Sequence, residues 1–343
     1  MSAKPNPRPT PGTTEKQLIA LLALLSDNPM LVISGEKIAK EIGVTRSTVW
    51  RWITRLRELG VRVKGHPNSG YHIERVPDVL VPDLLRRQLT GTSFPKRILH
   101  FFKVDSTNRV ALEAGQQGDP HGTLVIAEEQ TAGRGRSGRA WHSEKGSGIY
   151  LSILLRPALT PVQAPALTLV GGLAVYDAVA EQSGLKPDIR WPNDILVNGK
   201  KISGILTEMY AEPDRIKFVV VGIGINVNHA KMPAEISPIA TSLRIETGNV
   251  QPRIELAVGL LRRFETYYNQ LISEGPAPII ARFTAVSSYA QGRRISVASG
   301  QETFIGITAG LDASGLLRVT RDNGRTETIL AADISEASDA AHH

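Results

Sequence analysis

The sequence predicts an α+β protein of more than one domain, on three observations. The first 75 residues hold 12 Lys and Arg against 6 Asp and Glu, while the remaining 268 hold 28 against 27, so a small basic module precedes a nearly neutral body. In the body, strand and helix patterns mix without strict alternation, and Asn198-Gly199 joins two strand patterns as a type I′ hairpin signal, which points to a mixed sheet with segregated helices. The last segment, 291–337, reads as short strands with turns at Ser299-Gly300, Ser314-Gly315 and Asn323-Gly324, for which a small β-barrel is the natural closed form.

Composition removes other classes. The absence of cysteine excludes disulfides, thiolate metal sites and a cysteine nucleophile, and it fits a reducing cytoplasm. No apolar stretch is read as approaching the roughly 20 residues of a membrane helix, so no membrane partner is expected. The Pro-rich residues 1–13 read as a flexible tail and not a signal peptide, and 338–343 as a second tail.

The basic module, 14–75, opens with a capping-box pair, Thr14 and Gln17, ahead of a helix at 15–25. Two short helical patterns follow over 34–60, with a turn at Gly43 and Thr45 as N-cap of the second, which is the helix-turn-helix layout. On a helical wheel Val49, Trp52, Ile53, Leu56 and Leu59 share one arc. Arg46, Ser47, Thr48, Arg51 and Arg55 supply the short polar and guanidinium groups that reach base edges and phosphates, and Arg57 is also placed toward DNA. VRVKGHPNSGYHI (61–73) alternates around a Pro-Asn-Ser-Gly turn and makes a wing, with Lys64 aimed at DNA. A Pro-punctuated linker with a short helix spans 76–95.

The body, 96–290, carries strand patterns at 98–103, 123–129, 149–155, 188–197, 200–209 and 215–227. Helical patterns fall at 106–116, 164–184, 253–273 and 276–287. Its central motif is QTAGRGRSGR (130–139). Gly133, Gly135 and Gly138 match the dinucleotide-binding spacing, but the loop leads into another strand, so that reading fails. What remains is a glycine loop bearing Arg134, Arg136 and Arg139, suited to close approach and bidentate binding of carboxylate or phosphate. Asp105-Ser106-Thr107-Asn108 stands at a strand–helix junction able to hold a polar ligand head. Arg190-Trp-Pro-Asn-Asp194 and Lys200-Lys201 face each other across the hairpin, and GIGINVN (222–228) permits close packing.

DSTN, GRGRSGRAW, WPND, KKISGIL and GIGINVN occur here in the order of the biotin–protein ligases, and the preceding winged helix resembles the subgroup that also represses the biotin operon. The resemblance implies a class II aminoacyl-tRNA synthetase-like ligase domain and a C-terminal SH3-like barrel. It implies a biotin–[acetyl-CoA-carboxylase] ligase that uses biotin, ATP and Mg2+ to make biotinyl-5′-AMP. The biotin then passes to a lysine of a biotin carboxyl carrier domain, and ligand-promoted homodimers bind operator DNA. By motif, Ser106, Thr107, Asn108, Gln130, Gly133, Arg134, Arg136, Lys201 and Gly204 resemble the biotin contacts. Arg134, Arg136, Arg139, Trp141, Lys201 and Asn226 resemble the nucleotide contacts, with Trp141 stacking on adenine. Arg136, Lys201 and Asp194 carry the catalytic roles, Asp194 orienting the incoming lysine or alternatively capping the hairpin. Trp191 reads as core, and His142 and His229, not at metal-ligand spacing, read as structural, so no metal ligand is assigned. A lipoate–protein ligase-like enzyme and a non-catalytic biotin-sensing regulator are the competing readings.

Overall fold

The computed structural model describes residues 11–337 apart from 28, 76, 300, 301 and 331. The N-terminal elements are α1 (Thr13–Asp27), α2 (Gly35–Ile42), α3 (Arg46–Glu58), β1 (Val63–His66) and β2 (Gly70–Ile73). Gly43 ends α2 in the left-handed region at φ 75°, and the Thr45 hydroxyl accepts the Thr48 N–H at the start of α3, so both punctuation marks act as expected. Val49, Trp52, Ile53 and Leu56 are buried. Leu59 is half-buried, because α3 ends at Glu58 and the wheel no longer applies. The capping box is not formed: α1 begins at Thr13, the Gly12 carbonyl accepts the first turn's N–H groups, and Glu15 instead accepts the Phe102 N–H at 2.6 Å.

After α4 (Pro82–Gln88) come β3 (Arg97–Phe101), α5 (Thr107–Gln116), β4 (Thr123–Ala127), β5 (Gly148–Leu155), α6 (Pro165–Ser183) and β6 (Asp188–Arg190). The body continues with β7 (Asp194–Val197), β8 (Lys200–Ala211), β9 (Ile216–Asn226), α7 (Leu243–Thr247), α8 (Arg253–Glu274) and α9 (Ala277–Val286). The strand expected over 188–197 divides at a cis Trp191-Pro192 bond into β6 and β7. Asn198 and Gly199, at φ 49° and 74°, make the β7–β8 hairpin. The seven strands run β3-β4-β5-β9-β8-β7-β6, all antiparallel except the β3–β4 pair.

Alternation along β9 sorts the two faces. Val219, Val221, Ile223 and Ile225 join the large core under α6, α8 and α9, while Phe218 and Val220 join a smaller core under α5 with Val110, Ala111 and Leu154. One expectation is corrected: Pro161–Ser183 is long and apolar enough to cross a membrane. It contains Val170, Leu173, Ala174, Val175 and Val179, all buried, because this helix is covered on most sides by sheet and neighbouring helices.

The last strands are β10 (Gln291–Ser299), β11 (Glu302–Leu311), β12 (Leu317–Arg321), β13 (Thr326–Ile329) and β14 (Asp333–Glu336). They pair in the order β13-β12-β11-β10-β14, with no hydrogen-bonded closure between β13 and β14 among the described residues. The expected barrel is therefore open. Only 330–332 join its two edges, a span of at most ~14 Å, whereas five flat strands would set them ~19 Å apart; the sheet must curl. Bulges at Gln291/Arg294 and Thr308/Leu311 supply the bend, and Ile295, Val297, Leu317 and Val319 fill the interior. The Ser299-Gly300 turn lies outside the described residues; Gly315 and Gly324 turn at φ 82°.

Candidate functional site

The face of β9 that carries Phe218 and Val220 continues with Gly222, Gly224 and Asn226, where α5 reaches only Gly222, through Asn108 of its first turn. Register brings Ser152 opposite Gly222, and Gly204 opposite Gly224 on one side and Asp194 on the other, all on this face. Three of these positions are glycine, so the floor is bare backbone at the N-terminus of α5. The resulting cavity, of about 430 Å³, is lined by every residue expected to contact ligand except Gly133.

Each glycine is required by a neighbour. A Cβ on Gly224 would stand 2.5 Å from the Trp141 indole, one on Gly204 would stand 3.0 Å from Lys201 and 3.1 Å from Trp141, and one on Gly222 would overlap the Asn108 amide. Trp141 thus lies against strand backbone, with the Lys201 ammonium 5.4 Å from its ring centroid. Gly133 serves the loop instead: a Cβ there would meet the Trp141 carbonyl at 2.7 Å, and the Gly133 carbonyl accepts the Trp141 N–H.

The polar wall is cross-braced. Gln130 Oε1 accepts the Thr107 N–H at 2.8 Å, and Gln130 Nε2 donates to Ser143 Oγ at 3.0 Å. Ser152, absent from the sequence reading, donates to Thr107 Oγ1 or Asn108 Oδ1, at 2.8 and 2.6 Å. Asn108 Nδ2 turns away to Glu208, so its amide orients the wall. Asn226 donates to the Thr241 carbonyl and keeps its buried Oδ1 unpartnered, as does the Trp141 Nε1–H: two polar atoms available on this wall.

Opposite stand the charges. Asp194 Oδ1 lies 2.5 Å from Lys201 Nζ, and Oδ2 accepts from Arg190 at 2.8 Å. Burial would raise the Asp194 pKa, but the adjacent Lys201 and Arg190 cations outweigh it and hold the carboxyl below its ordinary value. Arg136 is half-buried and donates to Asn193 Oδ1 at 3.1 Å; burial pulls its pKa down. Asn193 was also missed, although it lies within the WPND motif. Arg139 is exposed and paired with Asp333 of β14 at 2.5 Å, so the C-terminal sheet touches the arginine loop. Arg134 is exposed on the same loop.

A larger cleft, of about 950 Å³, runs between the end of α3, the linker and the start of α8. It holds none of the loop arginines, Lys201 or Trp141, so the chemistry belongs to the smaller cavity. On the surface expected to meet DNA, Arg46, Ser47, Arg51 and Arg55 are exposed along α3, as is Trp50 at 63%. Thr48 is half-buried and bonded to Thr45, which makes it part of the cap. Arg57 is exposed as well, and its Nε donates to the Val63 carbonyl at 2.9 Å, which braces the wing. Lys64 pairs with Glu74 across the hairpin, and His229 folds back beside His142 and Glu144.

The pattern of the Biotin/lipoate A/B protein ligase family matches residues 101–226, an HTH domain matches 17–72, and the Biotin protein ligase C terminal domain matches 291–335. The bifunctional ligase/repressor BirA of Bacillus subtilis is 38% identical over 329 residues, covering 94% of this chain and 98% of that protein. The chain belongs to the biotin–protein ligase family. The Escherichia coli bifunctional ligase/repressor BirA is 30% identical, over 89% of this chain and 92% of its own length. The biotin–[acetyl-CoA-carboxylase] ligase of Mycobacterium tuberculosis is 39% identical, over 73% and 93%. Among solved structures, the biotin protein ligase from Aquifex aeolicus in complex with biotin and ATP superposes with a TM-score of 0.61 at 30% identity, over 70% of this chain and 98% of that one. Within the biotin–protein ligase family, the bare strand floor, the arginine loop and Lys201 are thus placed on the fold this chain shares with a ligase solved with both substrates.

Proposed function

We propose that this chain is an ATP-dependent biotin–protein ligase that also represses transcription through its winged helix. The observation that carries the reading is the convergence of Lys201, Arg136 and Trp141 on one backbone-floored cavity of a size for small ligands. Residues 14–75 take the DNA-binding role, 96–290 the ligation, and 291–337 brace the arginine loop.

In the first half-reaction a biotin carboxylate oxygen attacks the α-phosphorus of ATP and pyrophosphate leaves. Two anions must meet, so Lys201 bridges carboxylate and α-phosphate while Arg134, Arg136 and Arg139 neutralise the phosphate oxygens. Ser106, Thr107 and Gln130 take the ureido head, Trp141 stacks on adenine, and Asn226 Oδ1 accepts from the nucleotide. In the second half-reaction the ε-amine of a carrier-domain lysine attacks the acyl carbon and AMP leaves. Asp194, with both oxygens on Lys201 and Arg190, first positions Lys201; it reaches the incoming amine once Lys201 has turned to the phosphate. The ion Mg2+ arrives as part of the ATP substrate. Asp194 is the single carboxylate among the described lining residues, and its pairing leaves the wall no free acidic ligand for the ion.

The reading is tested by incubating the full chain with biotin, MgATP and an apo carrier domain. A mass gain of one biotin on the carrier is expected, and an unmodified carrier with normal ATP–pyrophosphate exchange would leave only the first half-reaction. Repression is expected to require a ligand-promoted homodimer on a two-fold-related operator. Sedimentation with biotin and ATP should show doubled mass; unchanged mass removes that part.

A further inference from the structure

We propose that His142, Glu144 and His229 form a binding site for one divalent transition-metal ion, zinc by the chemistry of the donors, that clips the end of the arginine loop to the exit of β9. The inference stands on the geometry of these residues and not on the ligase reading.

His142 and Glu144 are two apart on a segment between the loop and β5, and two-residue spacing on extended chain sends both side chains the same way. The residue between them, Ser143, is buried against Gln130. His229 arrives from the chain after β9. Its backbone is fixed by the Ser242 hydroxyl, which donates to its carbonyl at 2.7 Å, and its side chain is fully buried. One ligand atom from each of the three residues lies within 4.8 Å of the others.

The hydrogen bonds around His229 select its free atom. The Tyr150 hydroxyl donates to the Glu144 carbonyl at 2.9 Å and stands 3.4 Å from His229 Nε2. With the Tyr150 hydrogen directed at the carbonyl, the tautomer that satisfies both contacts is the one in which Nε2–H donates to the Tyr150 oxygen. Nδ1 then presents a lone pair, and it is buried with no hydrogen-bond partner. Leaving such an acceptor unsatisfied costs about 1–3 kcal/mol, and a bound cation would remove the cost.

Two imidazoles and one carboxylate suit zinc with the fourth position open to water. Magnesium and calcium take oxygen-rich sets instead. Zinc bonds of roughly 2.0–2.2 Å require donors ~3.4 Å apart. His142 and Glu144 are exposed and close that distance by side-chain rotation, against a rigid third ligand. The ion would hold Trp141, next to His142, at fixed separation from Asn226, three residues before His229.

The test uses the full chain stripped with chelator, without biotin or ATP, titrated with Zn2+ alone and with Co2+ as a visible reporter. Uptake of one equivalent and a rise in Tm are expected. His142→Ala and Glu144→Gln, both at exposed positions, should each weaken uptake at least about tenfold with unchanged far-ultraviolet circular dichroism. No uptake by the parent protein overturns the proposal. Equal uptake by the His142→Ala protein also overturns it, because the ion is then held elsewhere, for instance by His342 and His343.

Discussion

Lys201 carries one charge and faces two partners. Its ammonium is 2.5 Å from Asp194 and within 5.4 Å of the Trp141 ring centre, so a phosphate or carboxylate entering the cavity competes with an acid already in place. Lys201→Ala is expected to cut ATP–pyrophosphate exchange at least about a hundredfold while circular dichroism stays unchanged; near-normal exchange would remove Lys201 from the chemistry. Gly224 makes a complementary case, because its contribution is the side chain it lacks. Gly224→Ala places a methyl group 2.5 Å from the indole, and Trp141 must move. The expected result is a KM for ATP raised about tenfold or more, equivalent to ~1.4 kcal/mol, with biotin binding by calorimetry little altered. An unchanged KM for ATP would separate Trp141 from the nucleotide.

Helix α3 shows what an element can reveal by itself. Its buried arc of Val49, Trp52, Ile53 and Leu56 and its Thr45 cap were legible because each depends on residues three or four apart. That Arg57 also braces the wing was not legible, because its partner, the Val63 carbonyl, belongs to the wing and not to the helix. Arg51, exposed at the helix centre, is expected to lose about 1–3 kcal/mol of operator affinity on Arg51→Ala with ligation untouched. Equal affinity at fixed salt would exclude it from the interface. In β9 the alternating glycines were visible in GIGINVN, but the reason for them was not. Trp141 lies 83 positions away and is brought there by the β5–β9 register. The NG hairpin was legible for the opposite reason, since its left-handed backbone is written in the two turn residues themselves.

Across the whole molecule, the groups hardest to read from sequence are those that join its parts. Glu128 accepts the Leu80 N–H of the linker at 2.7 Å and pairs with the buried Arg253 of α8 at 2.9 Å, and Arg253 also holds Asp78. Nothing local marks these residues, which are scattered over 175 positions. Burial would raise the Glu128 pKa, but Arg253, His100 and the Leu80 N–H outweigh it and hold the carboxyl at about 2. Glu128→Gln leaves Arg253 short of its main partner in the interior and is expected to cost about 3–5 kcal/mol by urea denaturation. Acid should act in two windows. His229 is buried neutral, so the unfolded chain binds its proton first, and stability falls as pH drops from 6.5 toward 4. Glu128 contributes fully above 4.5 and is lost as pH falls toward 2. Each group changes the folding constant by about tenfold per pH unit within its window; a urea midpoint flat between pH 7 and 5 contradicts the His229 assignment.

The stretch from Glu128 to Lys145 contains the whole arginine loop, and its two ends are moored outside the ligase site. Glu128 ties one end to the linker, and Lys145 Nζ donates at 2.7 Å to the Glu58 carbonyl at the C-terminal end of α3, where a cation also suits the helix dipole. A tether of this kind works in both directions. If substrates tighten the loop and thereby favour one setting of α3, then DNA that selects that setting must favour the substrates by the same factor. Under that linkage, operator DNA is an effector of the biotin site as much as biotin is an effector of the operator.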